Sequence, residues 1–465
     1  MVKNAIWLPG YQVLMEQPDG AVQHFRVSCA TTVDACPKCG VIDRLYRHGT
    51  DDVTFRDIPS FGKQIEITVH IQRYRCRECG TTANQPLPGM DSRRRMTERC
   101  VEWIVDRGIT ETFSSVARQV GIDEKTVRNI CIPAFQQRLA ERGRDHGEYK
   151  LGTPFIIGID ELMLDGQMRA IFMDVGRSRI LDITDGHRKW QVARWLSQLP
   201  DLSAVQIVAI DMAVPYRDVV RALLPQATIV IDKFHVVRCA NQALDQVRNR
   251  ARRMATGAGR RNPWRGQRLL RRRADSLNPA QEMEVDGITA NNPLVNDAYR
   301  SKEAFMAIWK AADRAEAERL FDQWRHAIPE PVEREFGKVA KMVERWRKEV
   351  FAYFDCGITN AVTENRNSLI KTIYRNGRGY TFDVIRAKAL LAPPLPNTTR
   401  ECPMCKQHAI TRTFGEARAV LKNEYTGEPA IDLTHDICGS CLHVFNNLYR
   451  PFMENWNASV ERGFT

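Results

Sequence analysis

The chain has no uninterrupted apolar run approaching the ~20 residues of a membrane-spanning helix, and its opening stretch, "MVKNAIWLPGYQV", has no apolar core of a secretory signal. No membrane partner is expected from this pattern, and the cytoplasm is the expected location. Acid is scarce in one place. Residues 238–273 hold twelve arginines and one acid, Asp245, a local net of +11 in a chain whose whole excess is +12. Such a block repels itself unless a polyanion neutralises it, so nucleic acid is the expected partner and the nucleoid the expected location. A solvated arginine-rich loop is the alternative. Arg252, Arg253, Arg260, Arg261, Arg271 and Arg272 are the expected backbone contacts, and Trp264 is suited to stacking on a base.

At 465 residues, two to four domains are expected, and an apolar content of 43% belongs to a globular chain. Eight of the thirteen cysteines fall into four Cys-x-x-Cys pairs. Without a secretory signal, these read as zinc knuckles rather than disulfides. "CPKCG" (Cys36, Cys39) and "CRECG" (Cys76, Cys79) would supply the four thiolates of a zinc ribbon at 1–90. The run between them, with alternating stretches such as "KQIEITVHIQRYRC", predicts an inserted β-hairpin. Cys29 and His48 are bystanders in this reading. "CPMC" (Cys402, Cys405) and "CGSC" (Cys438, Cys441) predict a second zinc ribbon at 396–450, after the Pro-rich linker "APPLPNTTR" and before a tail at 451–465. Redox pairs are the alternative there, without a thioredoxin-like βαβ context to support them.

Residues 96–140 read as helical, within an expected helix-turn-helix domain at 91–145. "SSVARQVGIDEKTVRNI" predicts a short helix from Ser115, a turn at Gly121 and a second helix capped by Asp123. Ala117, Gly121 and Val127 meet the packing needs of a helix-turn-helix, leaving Lys125 and Arg128 outward for DNA; a plain helical hairpin is the alternative. From 150 to 395 the pattern is "PFIIGIDELML", "MRAIFMDVG" and "RILDITDG", then a helix, then "AVQIVAID", another helix and "TIVIDKFH". This predicts three meandering strands followed by helix-linked ones, a mixed sheet carrying helices, with an all-α insertion at 240–350.

Asp160 in "IIGID" and Asp211 in "IVAID" each end an apolar run, so neighbouring strands could aim both carboxylates at one point. Converging carboxylates repel each other unless a divalent cation, Mg²⁺ or Mn²⁺, sits among them. The stretch "CGITNAVTENRNSLIKTIYRNGRGY" at 356–380 carries one acid among cations. Wound as a helix, it puts Glu364, Asn367, Ser368, Lys371 and Arg375 on one side and Val362, Leu369 and Ile373 on the other. Glu364 is the expected third metal ligand, with Asn367, Lys371 and Arg375 holding the DNA backbone; a solvated face with an intrahelical ion pair is the alternative. Glu161, Asp165, Asp174 and Asp182 are discounted as opposite-face, turn or strand-end acids.

The order of zinc ribbon, helix-turn-helix, "GIDE", "VIDKFHVVR" and "DCGITNAVTENRNSLIKT", over roughly residues 30–390, resembles bacterial insertion-sequence transposases of the ISL-three family. The resemblance implies a multidomain α/β protein with an RNase H-like catalytic core and a DDE triad, which falls on Asp160, Asp211 and Glu364. It also implies binding of terminal inverted repeats, strand cleavage and transfer of a 3′-hydroxyl by two-metal chemistry, and a homodimer on paired double-stranded DNA ends. Asp232 is a rival second aspartate; the resemblance makes it and His235 neighbours of the active site rather than ligands. An RNase H-like nuclease that cuts without joining, or a transposase-derived DNA-binding regulator, are the competing functions.

Overall fold

The computed structural model describes residues 7–144, 154–254, 266–358 and 361–393, with short strands between 400 and 436. Side chains are described for these except 142–144, 361, 362, 364 and the short strands. The chain divides into two compact units, 1–147 with 370–393, and 148–369 with 394–465. No helix among the described residues is long and apolar enough to cross a membrane.

In the first unit, β1 (Tyr11–Asp19), β2 (Val22–Cys29), β3 (Leu45–Ser60), β4 (Lys63–Cys76), β5 (Thr82–Asn84), β6 (Met90–Asp91) and β7 (Met96–Thr97) form one sheet. Its order is β1-β2-β4-β3-β7-β6, with β5 on β4. Strand alternation builds the core: β4 buries Ile65, Ile67, Val69 and Ile71 on one face, against Phe25, Val27 and Phe55. The long β3–β4 hairpin is the insertion expected between the cysteine knuckles. It closes where Ser60 pairs with Lys63, leaving Phe61 and Gly62 at φ +51° and +74°, both positive as a type I′ turn requires.

Three helices follow, α1 (Glu98–Thr110), α2 (Phe113–Val120) and α3 (Glu124–Arg144). Thr97 caps α1 by accepting from Cys100 N at 3.1 Å, and its own hydroxyl donates to the buried Asp57. The second helix starts two residues earlier than the sequence pattern suggests, because Thr112 accepts from Ser115 N and caps it. Asp123 caps α3 through Thr126 N at 2.8 Å. Gly121 ends α2 at φ +80°, a backbone conformation that favours glycine, and the Gln64 amide lies where a Cβ would stand.

Residues 370–393, which the sequence pattern groups with the catalytic domain, pack in this first unit. Tyr380 Oη accepts from Phe113 N at 2.8 Å. Lys388, on the helix Phe382–Leu391, is buried and donates to the carbonyls of Gly108 and Glu111 at the end of α1.

The second unit opens with β8 (Ile156–Leu164), β9 (Gln167–Asp174) and β10 (Arg179–Ile183), then α4 (Lys189–Leu196), β11 (Ile207–Ile210), α5 (Val214–Leu223) and β12 (Thr228–Ile231). The sheet order is β10-β9-β8-β11-β12, antiparallel on the β8–β10 side and parallel across β8, β11 and β12. The central strands bury both faces, which is why they read as unbroken apolar runs.

A helical stretch of the described residues follows: α6 (Lys233–Met254), α7 (Gln267–Arg271), α8 (Pro279–Ala290), α9 (Pro293–Ile308), α10 (Arg314–His326), α11 (Glu330–Arg345) and α12 (Arg347–Cys356). Phe305 meets Trp324 and Phe321 meets Phe351 in its core, at ring separations of 4.7 and 5.7 Å. The helix α13 (Ala361–Asn376) comes next, and Phe382–Leu391 is α14.

The arginine block is less available than its charge suggests. Arg248 and Arg271 both pair with Asp245, Arg250 with Glu335, and Arg273 with Asp275. Arg272 donates to Gln281 and to the Ser276 carbonyl. Arg252 and Arg253 are exposed, while Arg260, Arg261 and Trp264 lie outside the described residues. Part of the cluster therefore holds α6, α7 and their neighbours together, because a long arginine can reach acids that are distant in sequence.

Candidate active site

Strand register sets the site. Ile210 pairs with Ile159 on one side and with Ile231 on the other, and the next residue of each strand is an aspartate: Asp160, Asp211 and Asp232. The sequence pattern makes Asp160 end its strand. Instead β8 runs on to Leu164, with Asp160 opposite Ile171 of β9; only the parallel pairing to β11 stops at Ile159. The carboxylate still stands at the edge of the parallel half.

The three acids differ in surroundings. Asp160 is buried; its Oδ2 accepts from Asn367 Nδ2 at 2.6 Å and its Oδ1 from Glu161 N at 2.7 Å. Asp211 Oδ1 lies 2.7 Å from His235 Nδ1. Burial pushes the Asp211 carboxyl up to about 6, the Asp160 charge adds to the rise, and His235 opposes it. The Asp211 carboxylate in turn raises the pKa of His235 against the pull of burial. Asp232 is 1% exposed, accepts from Phe234 N and lies 3.7 Å from His235 Nδ1, so the Asp211 and Asp232 carboxylates both face one imidazole nitrogen.

Among the described side chains of α13, Thr363, Arg366, Asn367 and Ile370 are buried. Of the expected apolar stripe, Leu369 and Ile373 are only half-buried and Val362 lies outside the described side chains, and the burial takes Asn367 away from an exposed DNA-facing side. The reason is polar pairing. Asn367 meets Asp160, and buried Arg366 donates from Nε and Nη2 to the Ser178 carbonyl at 3.0 and 2.8 Å. Lys371 and Arg375 are exposed. The side chain of Glu364 lies outside the described residues; its position is one turn before Asn367 on the same helix.

Two observations fit a divalent cation here. The Asp160 and Asp211 carboxylates stand close enough for the Asp160 charge to add to the burial that raises the Asp211 pKa. Asn367 Oδ1 is a buried acceptor without a hydrogen-bond partner among the described residues. Oxygen donors of this kind are what Mg²⁺ and Mn²⁺ take.

Tyr216 is a neighbour that sequence reasoning passed over, although it stands in "PYRD" five residues after Asp211. It is buried, donates to the His187 carbonyl at 3.1 Å, and burial together with the Glu161, Asp160 and Asp211 charges holds its hydroxyl far above the usual tyrosine range. Glu161, expected on the opposite face, acts on Tyr216 alongside Asp160 and Asp211, while the remaining discounted acids lie elsewhere. Asp174 accepts from Arg177, Asp182 accepts from Trp195 Nε1 at 3.1 Å, and Asp165 is an exposed turn residue at φ +52°.

In the first unit, Cys36, Cys39, Cys76 and Cys79 bring their sulfurs within 4.8 Å of one another. The Cys36–Cys79 and Cys39–Cys76 separations are 3.6 and 3.7 Å. A tetrahedron with Zn–S bonds of ~2.3 Å has edges of about 3.8 Å, so the cluster has zinc dimensions and is far too open for disulfides. Cys402, Cys405, Cys438 and Cys441 lie outside the described residues. Lys125 is exposed on α3. Arg128 is half-buried over the rings of Phe113 and Tyr380, bonded to Glu124 at 3.1 Å and to the Gly379 carbonyl, which ties it to the protein rather than leaving it outward.

Comparison with known proteins agrees with this layout. A family profile described as transposase matches residues 157–389. The zinc-finger of transposase IS204/IS1001/IS1096/IS1165 matches 32–79, and the helix-turn-helix domain of transposase family ISL3 matches 85–133. The transposase for insertion sequence element IS1001 of Bordetella parapertussis is 25% identical over 353 residues, covering 74% of this chain and 85% of that protein. The transposase for insertion sequence element IS1557 of Mycobacterium tuberculosis is 27% identical over 256 residues, 48% of this chain and 56% of that protein.

Proposed function

The chain belongs to the ISL3 family of DNA transposases, and we propose that Asp160, Asp211 and Glu364 are the acids of its strand-cleavage and strand-transfer centre. The observation that carries this reading is the register row Ile159–Ile210–Ile231, which presents Asp160 and Asp211 side by side, together with the Asn367–Asp160 bond that brings the helix of Glu364 to the same edge. The sheet order, three antiparallel strands then two parallel ones with helices, supports an RNase H-like core, with α6 to α12 as an all-α insertion before the last acid.

The three acids would hold Mg²⁺ or Mn²⁺. Bound there, a divalent pair supplies an activated oxygen nucleophile and stabilises the leaving oxygen of a phosphodiester. The chain's own groups do the positioning. His235 Nδ1 keeps Asp211 oriented, and the Asp232 carboxylate faces the same nitrogen, so these two act on a ligand without being ligands. Asn367 fixes the carboxylate plane of Asp160, and Arg366 anchors α13 through Ser178.

In this reading the helix-turn-helix and the N-terminal zinc ribbon read the terminal inverted repeats, with Lys125 at the groove. Lys371, Arg375, Arg252 and Arg253 hold backbone phosphates, and paired ends are joined in a homodimer. The test is Asp160→Ala and Glu364→Ala in purified protein with Mg²⁺ and duplexes carrying the element's two ends. Loss of both cleavage and joining, with end binding retained, is expected; persistent joining in either variant overturns the assignment. Wild-type protein that cuts but never joins would instead make this an RNase H-like nuclease.

A further inference from the structure

Phe61 stands at the tip of the β3–β4 hairpin, and no large apolar side chain among the described residues is more exposed. Its backbone is at φ +51°, a region that costs a side-chain-bearing residue roughly 1 kcal/mol and that Asn or Gly would occupy more easily. The position therefore sets an aromatic ring in water against both solvation and backbone preference. Neither folding nor turn formation accounts for it.

The tip is anchored to the DNA-reading element. Gln64, two residues past the turn, donates from Nε2 to the Arg118 carbonyl at 3.0 Å, in the last turn of α2. The same amide fills the space that a side chain on Gly121 would take, in the turn that leads into α3. Gln64 N donates to the Ala21 carbonyl at 2.9 Å, tying the hairpin to the β1–β2 turn. The surroundings are basic: Arg118 and Lys125 are exposed and Lys63 is half-buried. Of the acids there, Asp123 is engaged with Thr126 and Glu124 with Arg128, while Asp19 is two strands away from Gln64.

We propose that the β3–β4 hairpin is a wing of the helix-turn-helix and that Phe61 inserts into duplex DNA beside the segment read by α3, stacking on a base at one step. The inference rests on the helix-turn-helix docking on DNA. A two-residue hairpin tip is narrow enough for a minor groove about 6 Å wide, and apolar wedges delivered there part a base step at the cost of unstacking. The flanking cations hold the phosphates on either side.

The experiment uses the full-length protein and an end duplex with 2-aminopurine placed in turn at each position flanking the helix-turn-helix footprint. Phe61→Gly removes the ring while relieving the positive φ, so its melting temperature stays equal or rises; Phe61→Trp keeps an aromatic. Wild type and Phe61→Trp are expected to raise 2-aminopurine fluorescence at one step. Phe61→Gly is expected to lose that signal and to bind about 10-fold more weakly, within the range of one base–aromatic stack. Unchanged affinity of Phe61→Gly, or no fluorescent step with wild type, overturns the proposal. A change in self-association without a change in DNA binding also overturns it, and makes Phe61 a protein contact. Lys125→Ala separates this from the docking itself: if it leaves affinity untouched as well, the docking of α3 is what fails.

Discussion

Asn367 and Asp160 lie 207 residues apart in the chain and share a 2.6 Å hydrogen bond at the edge of the parallel half-sheet. The bond fixes one carboxylate oxygen and leaves the amide's own oxygen without a partner among the described residues. Removing it frees the carboxylate to rotate. Asn367→Ala is expected to lower strand transfer about 10–100-fold, the usual cost of losing a group that orients a metal ligand. End binding, measured by gel shift, should change far less. Equal losses in binding and joining would mean that Asn367 supports the fold rather than the site.

Proton and metal should compete at Asp211. Its carboxyl titrates near 6 in the metal-free protein, above its ordinary 3.8. Between those values the folded state keeps a proton that the unfolded state has released, so this group's contribution to stability falls as pH rises toward 6. His235 runs the other way: with a raised folded pKa, its contribution is complete below about 6.5 and is lost as pH climbs through the raised value. Mn²⁺ affinity by calorimetry is therefore expected to climb from pH 5 to about 6 and then flatten. In His235→Ala the Asp211 pKa rises further, moving the climb to higher pH; an unmoved profile would refute the pairing.

Much of this was legible beforehand, for a definable reason. Burial on both faces makes β8, β11 and β12 read as apolar runs, and an aspartate after such a run is visible in any linear reading. The four cysteine sulfurs are equally legible, since knuckle spacing encodes the chelate. What one sequence could not reveal is which side of α13 faces in. Its buried positions include Thr363, Arg366 and Asn367, so a hydrophobic stripe points the wrong way when the partners are a carboxylate and a carbonyl. A local charge count of the arginine block also treats as spare the cations that Asp245 and Glu335 pair with, for the related reason that those partners are not read from the block's charge alone.

Zinc removal should be felt where the knuckles close the end of the β3–β4 hairpin. Cys76→Ser leaves three thiolates and a weakened chelate, and structural zinc contributes directly to folding. Zinc release followed with a colorimetric chelator is expected to coincide with loss of the first unit's sheet signal in circular dichroism. Release without any spectral change would show that the hairpin stands without the metal.

Lys388 offers a stability test. Burial lowers its pKa to about 8, yet its ammonium bonds the Gly108 and Glu111 carbonyls and lies 5.0 Å from the Phe113 ring centre. Lys388→Met leaves those carbonyls without their donor, at about 1–3 kcal/mol for a buried group left unsatisfied. A lowered denaturation midpoint of the full chain is expected. For the same reason a 1–147 fragment should give a poorly dispersed amide spectrum, and co-expression with 370–393 should sharpen it.

That return of 370–393 to the N-terminal unit bears on how such proteins exchange parts. A gene crossover anywhere between codons 147 and 370 joins the first half of one parent to the second half of another. The hybrid then has to seat a foreign Lys388 beneath its own Gly108 and Glu111, and a foreign Tyr380 against its own Phe113. Inheritance of a new DNA-reading head thus demands segments 1–147 and 370–393 from the same donor, and shuffled descendants that break this rule begin with a mismatched core.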